Sequence, residues 1–304
     1  MKDYPLASLF ILAYKQSDFI QEALDGAVTQ DYPNLEIIVS DDCSPDNTFD
    51  IIKSFAEKYR GPHKLIINQN SKNLGIVGHF NHVIKNLCHG DFLLPTGGDD
   101  VCLPSRVSVS VKSIIECKAD ALSLNMIIIN DKSEKTAMMQ EVSDKIISYS
   151  MDDYIKGQYI SSGASRIIKR DLIDSFGYLD DDCPTEDSTM LFRAFMKSKV
   201  AFCHIPGVRY RVHGNNISIG INQFTLKTDL ITKQYYKDLD LALDKNYVNI
   251  LQYNLLKSKI NFYAKMRRLE EEKVEAIGAF EKSFIALKLL FIRVHRRIKF
   301  YHYL

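Results

Sequence analysis

The first half of the chain alternates short apolar runs with longer stretches whose apolar residues recur at helical spacing. Leu6 to Ala13 is an almost unbroken apolar run, the pattern of a strand buried on both faces. Phe19, Ile20, Ala23, Leu24, Ala27 and Val28 then fall on one helical face, with Ser17 as N-cap, and Asp31 to Asn34 break the helix. Leu35 to Ser40 predicts a second strand. Asp46 or Asn47 caps the next helix, which carries Ile51, Ile52, Phe55, Ala56 and Tyr59. The alternation continues with strands at Leu65–Asn68, Phe92–Pro95 and Ala121–Ile129, and helices at Ile76–Leu87 and Val107–Cys117.

Strands separated by helices of this length imply right-handed crossovers and a mainly parallel, Rossmann-like α/β sheet flanked by helices. Beyond it, residues 131–160 read as a polar connection with short helices. Residues 161–213 resume with a strand near Ala164–Ile168, a helix from Arg170, a helix over Glu186–Met196 and a strand near Val208–Val212. From about Gln223 the pattern is helical to the end, a C-terminal helical extension. There is no internal repeat. The expected organisation is a catalytic domain over 1–218, divided into halves of about 1–130 and 131–218, followed by a helical region over 219–304.

In a parallel sheet, ligands bind outside the carboxyl ends of the strands, so the residues there are the candidates for chemistry. After the first strand comes Ala13-Tyr14-Lys15 with no glycine, which argues against a dinucleotide fold and against a P-loop. After the second comes Asp41-Asp42-Cys43-Ser44, where a carboxylate can accept hydrogen bonds from a base or ribose. After the fourth comes Gly97-Gly98-Asp99-Asp100, a tight turn followed by two hard oxygen ligands suited to Mg²⁺ or Mn²⁺ carrying a diphosphate.

Composition adds little. The formal net charge is +1, which directs the chain to no polyanionic partner, and no nucleic-acid role is expected. Six cysteines show neither a C-x-x-C pair nor zinc spacing, as expected of reduced thiols. No apolar stretch reaches the ~18 residues of a membrane span, and the N-terminal run reads as a strand, not a signal peptide.

The segment ASLFILAYKQSDFIQEALDGAVTQDYPNLEIIVSDDCSPDNTFDII resembles the opening of family 2 glycosyltransferases of the GT-A fold. NLGIVGHFNHVI resembles that family's N-x-G-x-x-x-A-R-N segment, and GDFLLPTGGDD its D-x-D-D region. PTEDSTMLFRAF resembles its E-D-x-x-L-x-x-R, and RYRVHGNNIS its Y-R-x-H. Together these span roughly residues 6–218 in family order. The resemblance implies donor contacts from Ala13, Tyr14, Asp42, Asn73, Gly75, His79, Gly98 and Asp99, and a divalent metal, Mn²⁺ or Mg²⁺, on Asp100 and His213. It makes Asp187 the general base of an inverting transfer and puts Glu186 and Arg193 on the acceptor side. The implied partners are a nucleotide-sugar donor, with uridine the expected base, and a glycan acceptor on a polyprenyl diphosphate, in O-antigen or capsule synthesis.

The chain departs from the family at four points. Gly97 replaces the first D-x-D aspartate. Leu12-Ala13-Tyr14-Lys15 replaces a P-T-Y-N turn. The arginine of A-R-N falls at His79-Phe80, and Cys43 stands where D-D-G-S has glycine, so a changed turn backbone is expected there. A catalytically inactive nucleotide-binding scaffold is the alternative that Gly97 suggests. A nucleotidyltransferase is disfavoured because no Gly-rich basic loop follows the first strand.

The tail KSFIALKLLFIRVHRRIKFYHYL places Phe284, Leu287, Phe291, Val294 and Ile298 on one stripe, with no acid after Glu281. That is the pattern of a helix lying on an anionic membrane. A cytoplasmic protein held peripherally at the inner face of the plasma membrane is expected.

Overall fold

The computed structural model describes residues 4–214 and 227–275. The basic tail from Lys282 lies outside the described residues. Strand β1 (Ala7–Ala13) is followed by α1 (Ile20–Val28), β2 (Leu35–Asp41), α2 (Thr48–Lys58), β3 (Lys64–Gln69), α3 (Gly75–Asn86) and β4 (Phe92–Gly97). Then come β5 (Val101–Cys102), α4 (Arg106–Cys117), β6 (Ala121–Ile129), β7 (Lys135–Met138), β8 (Ile146–Tyr149) and α5 (Met151–Lys156). The second half continues with β9 (Arg166–Lys169), α6 (Arg170–Phe176), α7 (Asp187–Lys197), β10 (Val200–Arg211), α8 (Thr228–Asp244) and α9 (Ile250–Glu275).

The strands form one sheet in the order β3-β2-β1-β4-β9-β6-β10-β5, with β7 beside β6 and β8 beside β10. The first four in that order are all parallel, as their alternation with helices predicts. The second half is mixed. β9 runs antiparallel to both β4 and β6, while β10 runs parallel to β6 and antiparallel to β5 and β8.

Side chains alternate across the pleat and build two cores. Phe10 faces a cluster with α3, α6, α7, α8 and α9, whereas Leu9 and Ile11 face α1 and α4. β2 is buried along its whole length, with Glu36, Ser40 and Asp41 enclosed beside the apolar Ile37–Val39. Helix α8 adds Ile231, Tyr235, Leu239 and Ala242 to the first cluster, and α9 adds Leu256 and Ile260. No helix among the described residues is long and apolar enough to cross a membrane.

Three local expectations change. Residues 131–160 contain the strands β7 and β8 as well as a helix. They lie at the sheet margin, and β7 is mostly exposed, so neither carries a buried apolar run. β10 begins at Val200, not near Val208. The register shifts between Cys203 and Val208 interrupt its pattern, and Pro206 sits inside that bulge. Ser17 does not cap α1. Phe19 holds the N-cap position with no side-chain bond, and the Ser17 amide donates to Asp46 Oδ2 at 3.4 Å.

The extension is locked to the sheet by charge as well as apolar area. Arg193 on α7 is fully buried. Its Nε and Nη2 each donate to Asp238 on α8 at 2.8 Å, and Nη1 donates to the Gly177 carbonyl at 2.7 Å. Arg193 was expected at the acceptor. With no exposed surface it cannot touch one, and its place is structural. Removing one partner of a buried pair strands the other charge, which costs about 3–5 kcal/mol. Asp238→Ala is therefore expected to lower the urea-unfolding free energy by about that much, whereas an exposed control such as Asp240→Ala stays within about 0.5 kcal/mol.

Candidate active site

Register brings the strand ends together. Ala13 pairs with Asp41 and Leu12 with Gly97, so the turns after β1, β2 and β4 emerge side by side on one edge. The first two turns are stitched to each other. Lys15 N–H donates to Ser44 Oγ at 2.9 Å, Gln16 N–H to Thr48 Oγ1 at 2.9 Å, and Asp42 N–H to the Ala13 carbonyl at 2.9 Å. Lys15 and Cys43 both take left-handed backbone, with φ of 55° and 59°. The turn at Cys43 thus keeps a conformation that favours glycine, at a cost of roughly 1–2 kcal/mol for a side chain. Non-glycine residues in this region concentrate at functional loops. Tyr14 is 41% exposed beside them, with the Lys15 ammonium 5.1 Å from its ring centre.

Asp42 is buried and clamps the start of α3. Its carboxylate accepts from the amides of Leu74 (2.9 Å) and Gly75 (3.0 Å) and from Asn70 Nδ2 (2.7 Å). Gly75 reaches this bond from φ +74°, where a side chain would be strained. Asn73 completes the clamp by donating to the Asp42 carbonyl and accepting from Gly75 N–H. Asp42 therefore meets protein donors on both oxygens and forms the floor of the edge.

His79 was expected to face donor phosphates. It is buried instead, sharing a 2.7 Å hydrogen bond with Ser40 Oγ, and burial pushes its pKa down to about 4 against the pull of Asp42 and Asp41. A neutral, enclosed imidazole cannot supply positive charge to a phosphate. Phe80, the other residue aligned with the family arginine, is buried in the core.

The third turn carries the acidic pair. Asp99 Oδ2 lies 3.0 Å from His213 Nε2. Asp100 is buried, and its Oδ1 accepts the Arg211 amide at 2.9 Å. Burial, and then the neighbouring Asp99 charge, hold the Asp100 carboxyl well above the usual range. A Cβ on Gly97 would stand 2.4 Å from Asp99 Oδ1 and 3.6 Å from Asp100 Oδ2, so both carboxylates turn toward the space left by the missing side chain. Gly98 lies equally tight against Ala13, Gln16 and Ile20. Nearby, the buried oxygens Gln16 Oε1 and Thr96 Oγ1 have no hydrogen-bond partner, an uncommon state for enclosed polar atoms.

Among the described residues no group of three histidine, cysteine or acidic side chains is arranged to enclose a metal by itself. The Asp99, Asp100 and His213 set nevertheless has the donor types for Mn²⁺ or Mg²⁺. Such ions commonly take few protein ligands and complete their shell with phosphate and water. A cation there would also relieve the mutual repulsion of the two acids.

Arg211 holds the arrangement and was not singled out from the sequence, although it is the arginine of the Y-R-x-H stretch. It is fully buried. Its Nε donates to the Asp99 carbonyl at 2.9 Å, Nη1 to Ser133 Oγ at 2.9 Å, and Nη2 to Glu22 at 3.1 Å. Its guanidinium carbon stands 4.7 Å from the centre of the Phe19 ring, which in turn lies 5.1 Å from the His213 ring.

Asp187 reaches the same edge by a different route. Because β9 runs antiparallel to β4, its start and the residues before it lie toward the carboxyl end of β4. Asp187 opens α7 there, exposed, with Oδ1 accepting from Thr185 Oγ1 at 2.8 Å and from the Ser188 amide. Arg166 anchors the corner. It is buried, donating to the Asp187 carbonyl at 2.5 Å and to Ser161 Oγ at 3.0 Å, and its Nε has no partner. An arginine within a short buried strand is the signal that could have singled it out. The half-buried Glu186 has its pKa raised to about 7, by burial first and then by the Asp187 charge. Tyr154, Tyr159, Phe195, Phe192 and Tyr235 form a contiguous aromatic wall behind α7.

Paired acids in a strand-end turn and a carboxylate at a helix start thus share one sheet edge. The family model Glycosyl transferase family 2 matches residues 8–177, more than half of the chain. The chain belongs to glycosyltransferase family 2. The match covers Asp42, Asp99 and Asp100, whereas Asp187 and His213 lie beyond it.

A relative from Rickettsia prowazekii (strain Madrid E), named uncharacterized glycosyltransferase RP339, is 25% identical over 96% of this chain and 92% of its own length. The poly(ribitol-phosphate) β-N-acetylglucosaminyltransferase TarS of Staphylococcus aureus (strain Mu50) is 28% identical over 46% of this chain, a match spanning 24% of that enzyme. The structure of S. aureus TarS 1-349 with UDP-GlcNAc superposes with a TM-score of 0.61 over 98% of this chain and 93% of that one, at 18% identity. The mannosyltransferase PcManGT of Pyrobaculum calidifontis, in complex with GDP-Man and Mn²⁺, gives 0.54 over 98% and 83%, at 15% identity. These likenesses establish the GT-A fold for this family 2 glycosyltransferase.

One glycine makes room for the proposed base. A Cβ on Gly163 would fall 2.6 Å from Asp187 Oδ2 and 2.9 Å from its Cβ. Gly163→Ala is expected to displace that carboxylate. A misplacement of about 1 Å costs roughly 100-fold in rate. Transfer in steady-state assays is expected to fall by about that factor while nucleotide affinity by calorimetry is unchanged.

Proposed function

We propose that this glycosyltransferase moves a sugar from a uridine diphosphate donor to a hydroxyl of a glycan or related polyol acceptor, with inversion at the anomeric carbon. The observation that carries the reading is the placement of two functions on one sheet edge: the Asp99–Asp100–His213 group after β4 and β10, and Asp187 at the start of α7. The UDP-GlcNAc complex of the TarS neighbour makes that donor the first to try.

In this reading Asp42, Asn73 and Gly75 shape the floor against which the nucleoside lies, beneath Ala13, Tyr14 and Gly98. Asp99, Asp100 and His213 would hold Mn²⁺ or Mg²⁺, which neutralises charge on the departing diphosphate when bound. Asp187 is exposed, so its carboxylate can accept the proton of the acceptor hydroxyl as that oxygen attacks the sugar. Glu186 beside it, raised toward neutrality, can bond an acceptor hydroxyl in either protonation state. Arg166, donating to the Asp187 carbonyl, holds the start of α7, and the aromatic wall packs against the turn of helix that follows.

The acceptor is proposed to be lipid-linked, in bacterial surface polysaccharide synthesis, with residues 282–304 resting on the inner face of the plasma membrane. The support is the basic, amphipathic pattern of that segment.

The test pairs binding with turnover. In a thermal-shift series, UDP or UDP-GlcNAc at about 100 times its Kd stabilises by about 2.7 kcal/mol. The shift is expected to require Mn²⁺ and to vanish in Asp100→Ala. Asp187→Asn is expected to keep the shift and lose about 100-fold to 10,000-fold in transfer. Near-normal transfer by Asp187→Asn would remove it as base, and a nucleotide shift indifferent to metal and to Asp100 would remove the metal site.

A further inference from the structure

A cleft of about 740 Å³ runs between α3 and the turn joining α6 to α7, and neither the donor edge nor the base accounts for it. One end is formed by Lys72, Asn73 and Leu74, the segment that holds Asp42. The opposite wall is Tyr178 to Asp181, from which the chain runs on to Glu186 and Asp187. One end of the cleft is thus the segment that clamps Asp42, and its opposite wall leads along the chain into the start of α7.

Its chemistry is uneven in a telling way. The two acids are already satisfied: Asp180 is paired with Lys237, and Asp181 Oδ1 accepts from Asn81 at 3.0 Å. The two lysines are not. Among the described residues no carboxylate pairs with Lys72 or Lys85, and both are exposed. Tyr178 is 41% exposed, with the Lys85 ammonium 5.9 Å from its ring centre. The cleft thus offers two ammonium groups without a carboxylate partner and one aromatic face. An aromatic face suits the C–H side of a sugar or polyol, and ammonium groups suit phosphate or carboxylate.

We propose that this cleft binds the part of the acceptor distal to the reacting hydroxyl, and that the acceptor is an anionic polyhydroxylated chain. The inference rests on the glycosyltransferase reading above and adds the substrate class. Lys72 and Lys85 contact the acidic groups of the chain, Tyr178 stacks on its carbon backbone, and its end enters toward Asp187.

Calorimetric titrations of the full chain with saturating UDP and Mn²⁺ test this, using three probes: a ribitol phosphate oligomer, an oligosaccharide containing glucuronic acid, and neutral maltohexaose. At least one anionic probe is expected to bind, with affinity falling as salt rises. In Lys72→Ala/Lys85→Ala its affinity is expected to drop about tenfold, with UDP affinity unchanged. Lys85→Glu is expected to weaken it further, and which anionic probe binds tells phosphate from carboxylate. Maltohexaose binding as well as the anionic probes, or a double variant that binds them normally, overturns the proposal. So does UDP binding with no anionic probe bound, which leaves the donor reading standing. Failure of UDP itself to bind strikes the donor reading instead.

Discussion

The site depends on a charge that has been taken out of water. Arg211 has no exposed surface, and a guanidinium in that position is tolerated only when its donors are met. They are met by atoms from three separate stretches of chain: the Asp99 carbonyl after β4, Glu22 on α1, and the Asn130–Ser133 turn after β6. Those stretches share nothing in sequence. The single cation fixes where the acidic turn sits relative to helix and sheet, and its stack on Phe19 carries the constraint to His213. Asp100 is drawn into the same arrangement from the backbone side, through the Arg211 amide. The acidic pair is thus oriented by a buried network whose cost is offset by mutual satisfaction, not by the carboxylates themselves.

Much of this was legible in the chain before its structure. The parallel half of the sheet follows from short strand-like runs such as Leu35–Ser40 alternating with segments of helical spacing. Asp42, Asp99 and Asp100 were found because strand ends are where such sheets bind ligands. The illegible parts are long-range. Arg193 reads as an acceptor-side residue until Asp238, 45 residues on, closes over it. His79 reads as a phosphate contact until Ser40 is seen beside it. β10 hides behind its own bulge, since Pro206 disrupts the alternation that would have announced Val200–Cys203. Arg166 gives a signal only to a reader who already knows that its strand is buried.

The departures from family pattern resolve differently. Cys43 keeps the left-handed turn that glycine would make easily, so the loop geometry survives the substitution at an energetic cost. Gly97 is another matter. The space of its absent side chain is where Asp99 and Asp100 direct their oxygens, and a third carboxylate there would crowd them. At His79–Phe80 the place of the family arginine is taken by two buried side chains. Positive charge near α3 is found instead farther along the helix, at Lys85.

The stitching of the first two strand-end turns ties two separate stretches of this chain into one unit. Lys15, Gln16 and Ser17 each donate a backbone N–H to a side chain in the Ser44–Thr48 stretch. The recipient residues therefore dictate the path of a loop about thirty positions upstream, whatever side chains that loop carries. The Lys15 side chain takes no part in this stitching, because only its main chain is held. A change at Ser44, Asp46 or Thr48 would release both turns together. The two segments form one heritable unit, and a graft that exchanged donor preference between relatives would have to move them as a pair.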